Sequence, residues 1–141
     1  MKKWTERIPE SEITGKITEA SVDFARRFGS FLGKKEQWKD KNGNSHYVER
    51  LKTNQLRKFF GEVKRQQMQG FNKSSFIMLK PKLAYAVGRA EGENKIKDLY
   101  FVLADAIDKV SDEKSFNNFI TIFEAIVAYH KAAEAGRRLN D

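Results

Sequence analysis

Cysteine is absent from the chain, which excludes disulfides and thiolate metal sites and is compatible with a reducing compartment. Proline is nearly so: Pro9 and Pro81 are the only two in 141 residues, so little interrupts a helical chain. Histidine is as scarce, with His46 in a polar stretch and His130 in an apolar one. Neither has a partner at metal-ligand spacing, nor a nucleophile or orienting carboxylate at a catalytic one. His130 therefore reads as a packed or interface residue, and no catalytic residue, metal or cofactor is expected. Gly88 and Gly92 in AVGRAEGEN lack the strand and the Lys-Ser/Thr ending of a phosphate loop; they read as a helix-packing and a helix-terminating glycine. No run approaches the roughly 18 apolar residues of a membrane span. The basic start, MKKWTERIPESEITGK, has no apolar signal segment behind it, so a soluble, cytoplasmic protein without a membrane partner is expected.

Charge is what the chain has in excess. Its net charge is +8, unevenly spread. Residues 1–52 hold twelve cations and eight carboxylates, residues 53–91 eight and two, and residues 92–141 seven and nine. A basic middle beside a mildly acidic end implies one cationic face, which makes a polyanion the leading class of partner and an acidic protein the second.

Apolar residues recur every three or four positions, the helical period, and the length suits a single domain. The expected fold is all-α, a compact bundle of about five helices, with residues 1–14 and 33–50 irregular. Helix one spans about Gly15 to Leu32, with Ile17, Ala20, Phe24, Phe28 and Phe31 on one stripe. The polar run GKKEQWKDKNGNSHYVER that follows has turn chemistry at Asn42-Gly43-Asn44 and reads as a loop. Helix two starts at an N-cap Thr53, runs through Gln67, and buries Leu56, Phe59, Phe60 and Val63. At about 100° per residue, Arg57, Lys58, Gly61, Lys64 and Arg65 fall on its remaining surface. Helix three begins at Pro81 and ends near Glu91-Gly92, with Lys80 and Lys82 at its start and Arg89 in its last turn. Helix four covers about Asn94 to Val110. Helix five, capped by Ser115, has apolar residues over more than half its circumference, and Arg137 and Arg138 follow it on a fraying end.

The basic face of helix two is the sharpest physical signal. Glu62 is the sole carboxylate among its cations, so pairing within the helix leaves most of them available to a phosphate backbone. Lys73, Lys80, Lys82 and Arg89 extend that surface if helices two and three lie side by side, with Asn54 and Gln55 as neutral hydrogen-bonding groups.

Three blocks add a more specific signal: LKTNQLRKFFGEVKR at 51–65, MLKPKLAYAVGR at 78–89 and FEAIVAYHKA at 123–132. In this order they resemble the small subunit of the type III-A CRISPR (Csm) effector complex, over about residues 50–133; residues 1–50 look only like a variable helical lead-in. The resemblance implies a non-catalytic helical scaffold, present in several copies as an inner filament beside the backbone subunits and the large subunit, in antiviral defence. Target RNA cleavage would then belong to the backbone subunit, and DNA cleavage and cyclic oligoadenylate synthesis to the large one. By position, the residues it assigns to guide RNA and target RNA are Arg57, Lys58, Lys64, Arg65, Lys80, Lys82 and Arg89. The rival readings are an independent helical nucleic-acid-binding protein outside CRISPR, a small ribonuclease using His130 or His46, and a pure protein adaptor.

Overall fold

A computed structural model describes residues 3–90 and 95–137. The expected ends at Glu91-Gly92 and Asn94, and the residue Arg138, lie outside them. Among the described residues the chain forms α1 (Glu10–Thr14), α2 (Glu19–Leu32), β1 (Glu36–Lys39), β2 (Ser45–Val48), α3 (Thr53–Gln69), α4 (Lys73–Ile77), α5 (Leu79–Arg89), α6 (Ile96–Lys109) and α7 (Glu113–Glu134). The fold is mostly helical but not all-α, with seven helical segments among the described residues instead of about five.

The longest helix, α7, is the hub onto which α1, α2, α3 and α6 pack. Its apolar circumference requires this: Phe116, Phe119, Ile120, Ile122, Phe123 and Ile126 are all buried, each worth about 1.5–3 kcal/mol relative to exposure. The helix starts in a reciprocal cap different from the one expected. Asp112 is the N-cap and accepts from the Ser115 N–H at 2.8 Å, while Ser115 Oγ accepts from the Asp112 N–H at 3.1 Å. Ser115 is thus the third helical residue, the second half of a capping box.

α2 runs in the same direction as α7 and lies almost on its backbone. A Cβ on Gly29 would stand 2.7 Å from the Ile126 carbonyl oxygen, and one on Gly33 2.7 Å from that of His130; only glycine permits this approach. The opposite edge of α2 carries Phe24, Phe28 and Phe31 against Trp4. The helix begins at Glu19 behind a Thr18 cap, four residues later than the expected Gly15. Ahead of it, within the stretch expected to be irregular, α1 is tied in through Glu12. That buried carboxylate accepts from both the Ser21 and Thr18 hydroxyls at 2.5 Å, which hold its pKa below the usual carboxylate range against the cost of burial.

The other correction concerns residues 33–50. They form an antiparallel hairpin, with Glu36 opposite Val48 and Trp38 opposite His46. Its turn is set by Asp40, whose carboxylate accepts from the Asn42 and Asn44 N–H groups at 2.9 Å, and by Gly43 at φ 81°. Trp38 and His46 stack across the strands with ring centroids 4.5 Å apart. At the base of the excursion the Leu51 N–H donates to the Leu32 carbonyl at 2.8 Å, and buried Lys95 reaches the Phe31 carbonyl at 2.6 Å and Glu36 at 3.1 Å.

Candidate nucleic-acid interface

α3 runs antiparallel to α7, with Phe60 meeting Phe123 edge-on at 5.3 Å and Gln67 donating to Asn117 at 3.2 Å. Leu56, Phe59, Val63 and Gln66 are its buried stripe. Thr53 is the first helical residue, not the N-cap, and its hydroxyl is committed elsewhere: it donates to Glu134 in the last turn of α7. Glu134 also accepts from the Thr53 N–H at 3.1 Å and from Arg50 at 3.4 Å. Burial pushes its carboxyl up, but the Thr53 bonds together with its neighbours, Arg50 among them, outweigh that and the pKa ends below the usual range. Beside it, His130 is buried with Nε2 2.5 Å from the Leu51 carbonyl. A carbonyl only accepts, so Nε2 carries the proton. Burial lowers the imidazole pKa and keeps the ring neutral. His130 is a packed histidine that fixes the start of α3. His46 sits on the hairpin, 2.8 Å from Asp40.

Past Gly70 the chain turns back. Asn72 caps α4 by accepting from the Ser75 N–H, and α5 follows directly, starting two residues before Pro81. Pro81 lies in the first turn, where no helical acceptor awaits its missing N–H. This return brings α5 opposite α3, and Glu62 bridges the two. Arg65 binds its carboxylate through two nitrogens, at 2.7 and 3.0 Å, while Lys82 reaches it from α5 at 3.1 Å. The Arg65 bonds lead, with Lys82 and Gln66 adding, in drawing the Glu62 pKa down to about 2.

Between α3 and α5 lies an open groove of about 880 Å³. Four of the seven residues expected to contact RNA line it: Lys58 and Arg65 on α3, Lys82 and Arg89 on α5. Each pair is seven residues apart, about 10 Å along its helix. Gln55 lines the same groove. Arg57 and Lys64 form a second stripe on α3, roughly 100° round from the first, and line no part of the groove. Arg57, Lys58 and Lys64 make no ion pair among the described residues. Lys80 faces the other way, pairing with Asp108 of α6 at 2.7 Å, which raises its pKa. Lys73 is likewise drawn off, donating to the Val110 carbonyl at 2.8 Å.

Two further groove residues belong to runs that read as apolar in the sequence, yet Tyr85 is 68% exposed and Met78 53%. The helical period places Tyr85 on the outer side of α5, opposite buried Leu79 and Leu83, a signal that was available. Gly88, expected from sequence to be a helix-packing glycine, packs against no helix: a Cβ there would meet nothing within 4 Å. A second cleft, about 580 Å³ beside α2 and the hairpin, is also rich in cations, among them Arg26, Arg27, Lys34 and Lys35. Much of that charge is internally neutralised, Arg27 by Glu6 and Asp23, Arg26 by Asp23 and Lys95 by Glu36. Lys3, Lys34 and Lys35 of that cleft make no ion pair among the described residues, as many free cations as Arg57, Lys58 and Lys64 provide on α3.

No group of His, Asp and Glu among the described residues could hold a metal ion, and no helix there is long and apolar enough to cross a membrane. No curated protein and no solved structure matches the chain. The Csm2 Type III-A family model matches residues 19–135. The match begins at the first residue of α2 and ends at the C-cap of α7, so α2 and the hairpin belong to it and are not a lead-in outside the family. From the start of α2 to the end of α7, this chain belongs to the Csm2 family of type III-A CRISPR systems.

Proposed function

We propose that the chain is the non-catalytic small subunit of a cytoplasmic type III-A interference complex. In this reading several copies form the inner filament beside the backbone and large subunits, in antiviral defence, and hold the guide and target RNA backbone. The observation that carries it is the open groove that α3 and α5 share, which gathers Lys58, Arg65, Lys82 and Arg89 from two separate sequence blocks. Arg57 and Lys64 add unpaired charge on the neighbouring stripe. Such cations neutralise phosphate and carry little sequence information, so specificity is left to guide–target pairing. Lys80, tied to Asp108, is the weakest member of the set.

The test is a tagged pull-down from cells expressing a type III-A effector operon and guide RNA, with wild type beside the Arg57, Lys58, Lys64, Arg65 quadruple Ala variant. Wild type is expected to bring down the other subunits and guide RNA, and the variant to lose RNA. In direct titrations the slope of log affinity against log salt should flatten by about 0.7 to 0.9 per phosphate contact removed. An unchanged slope takes α3 out of the interface. Recovery of neither subunits nor RNA by wild type ends the scaffold reading.

A further inference from the structure

A phosphate-binding surface needs cations; it does not need the apolar floor that this groove has. We propose that the groove between α3 and α5 is a nucleobase slot, in which one unpaired base of a single-stranded RNA stacks on Tyr85 while its flanking phosphates meet the cations on the two walls. This rests on the RNA reading above and deepens it.

Three observations converge. Phe59, Met78, Leu79, Pro81 and Ala86 give the groove an apolar lining. Tyr85 stands at its side, largely exposed, with the Arg89 guanidinium 5.7 Å over its ring, so an aromatic plane and a cation are presented together, the combination that single-strand binders use for bases of any identity. The third is Gly61. A glycine inside a helix costs about 0.8–1 kcal/mol relative to alanine, and the usual compensation, close packing of a neighbour, is missing here: a Cβ on Gly61 would meet nothing within 4 Å. Gly61 instead lines the groove, where any side chain would project into the space and where its bareness lets a ligand approach the backbone. Charge selects the occupant. Two cations stand on each wall against the single carboxylate of Glu62, already bound by Arg65 and Lys82, so a polyanion whose charges flank a flat apolar ring fits the groove on both counts.

The experiment is a fluorescence anisotropy titration of the full chain at low salt, using oligouridine RNA and an RNA of equal length and charge with abasic residues. Wild type should prefer the base-bearing RNA. Tyr85→Ala should weaken that binding on the order of five- to a hundredfold while leaving the abasic RNA and the salt slope unchanged, and Tyr85→Phe should restore it. Gly61→Leu should remove the same preference by filling the groove, with a melting temperature at or above that of wild type, a combination that misfolding does not produce. Equal binding of both RNAs by wild type, with a steep salt slope, leaves the phosphate reading standing and sinks the slot. A preference that survives both Tyr85→Ala and Gly61→Leu puts the base elsewhere and also overturns it. If wild type binds neither RNA at low salt, the slot and direct RNA binding by this chain fall together, and a protein segment becomes the occupant to seek.

Discussion

Two helix pairs in this molecule use glycine for opposite ends. Where α2 meets α7, Gly29 and Gly33 let the backbones approach until a methyl group would collide with a carbonyl oxygen. Where α3 meets α5, Gly61 faces open space, and the two helices are bridged by the Glu62–Lys82 ion pair across a groove left unfilled. The first contact is made by shape and closes; the second is made by charge and stays open. A glycine in a helix is thus ambiguous until its surroundings are known, and the surroundings tell structure from recognition.

The comparison can be broken most forcefully in the α7 core on which both α2 and α3 rest. Phe123, fully buried on α7 and in edge contact with both Phe60 and Phe119, should cost about 3–5 kcal/mol when truncated to alanine, read by denaturant unfolding; a fully stable variant would contradict the hub role of α7. Next comes the pair Gly29→Ala and Gly61→Ala. The same added methyl should destabilise the first by about 1–3 kcal/mol through overpacking and stabilise the second by up to about 1 kcal/mol through helix propensity. Shifts of the same sign would erase the distinction. The smallest effect belongs to the charge bridge. Glu62 has its pKa depressed from 4.5 to about 2, so its contribution is fully present above about pH 4.5 and is lost as pH falls through about 2. With Arg65 and Lys82 both half-exposed, that contribution is about 1 kcal/mol or less. A stability difference between wild type and Glu62→Gln should be flat above pH 4.5 and fade below it.

The helical period made most of the fold legible, because α2, α3, α6 and α7 are long enough for stripes such as Leu56-Phe59-Val63 to repeat. The hairpin was not legible: four residues per strand give too little alternation to stand out in a polar run, and its stability comes from distant partners such as Lys95, which no local pattern reveals. The same holds for Thr53, whose capping chemistry was recognised but whose hydroxyl was claimed by Glu134, 81 residues away. At the candidate interface the cations could be named from sequence, yet only packing divides them into the groove set, the Arg57–Lys64 stripe and the committed Lys80. Tyr85 and Gly61 lie on faces the helical period marks as outward, but their part in a groove is hidden for a related reason. What matters about each is the space beside it, and space is a property of the folded chain.

The dependence of α1, α2 and α3 on α7 also imposes an order in time. Synthesis proceeds from the N-terminus, so these three helices leave the ribosome before the residues that cover them exist. Until residues 113–134 have been made, the glycine face of α2 and the buried stripe of α3 have no surface on which to close, and the basic helix has neither Glu134 nor His130 to set its start. The nascent chain therefore presents its cations before it presents a groove, and the interface is completed by its last helix.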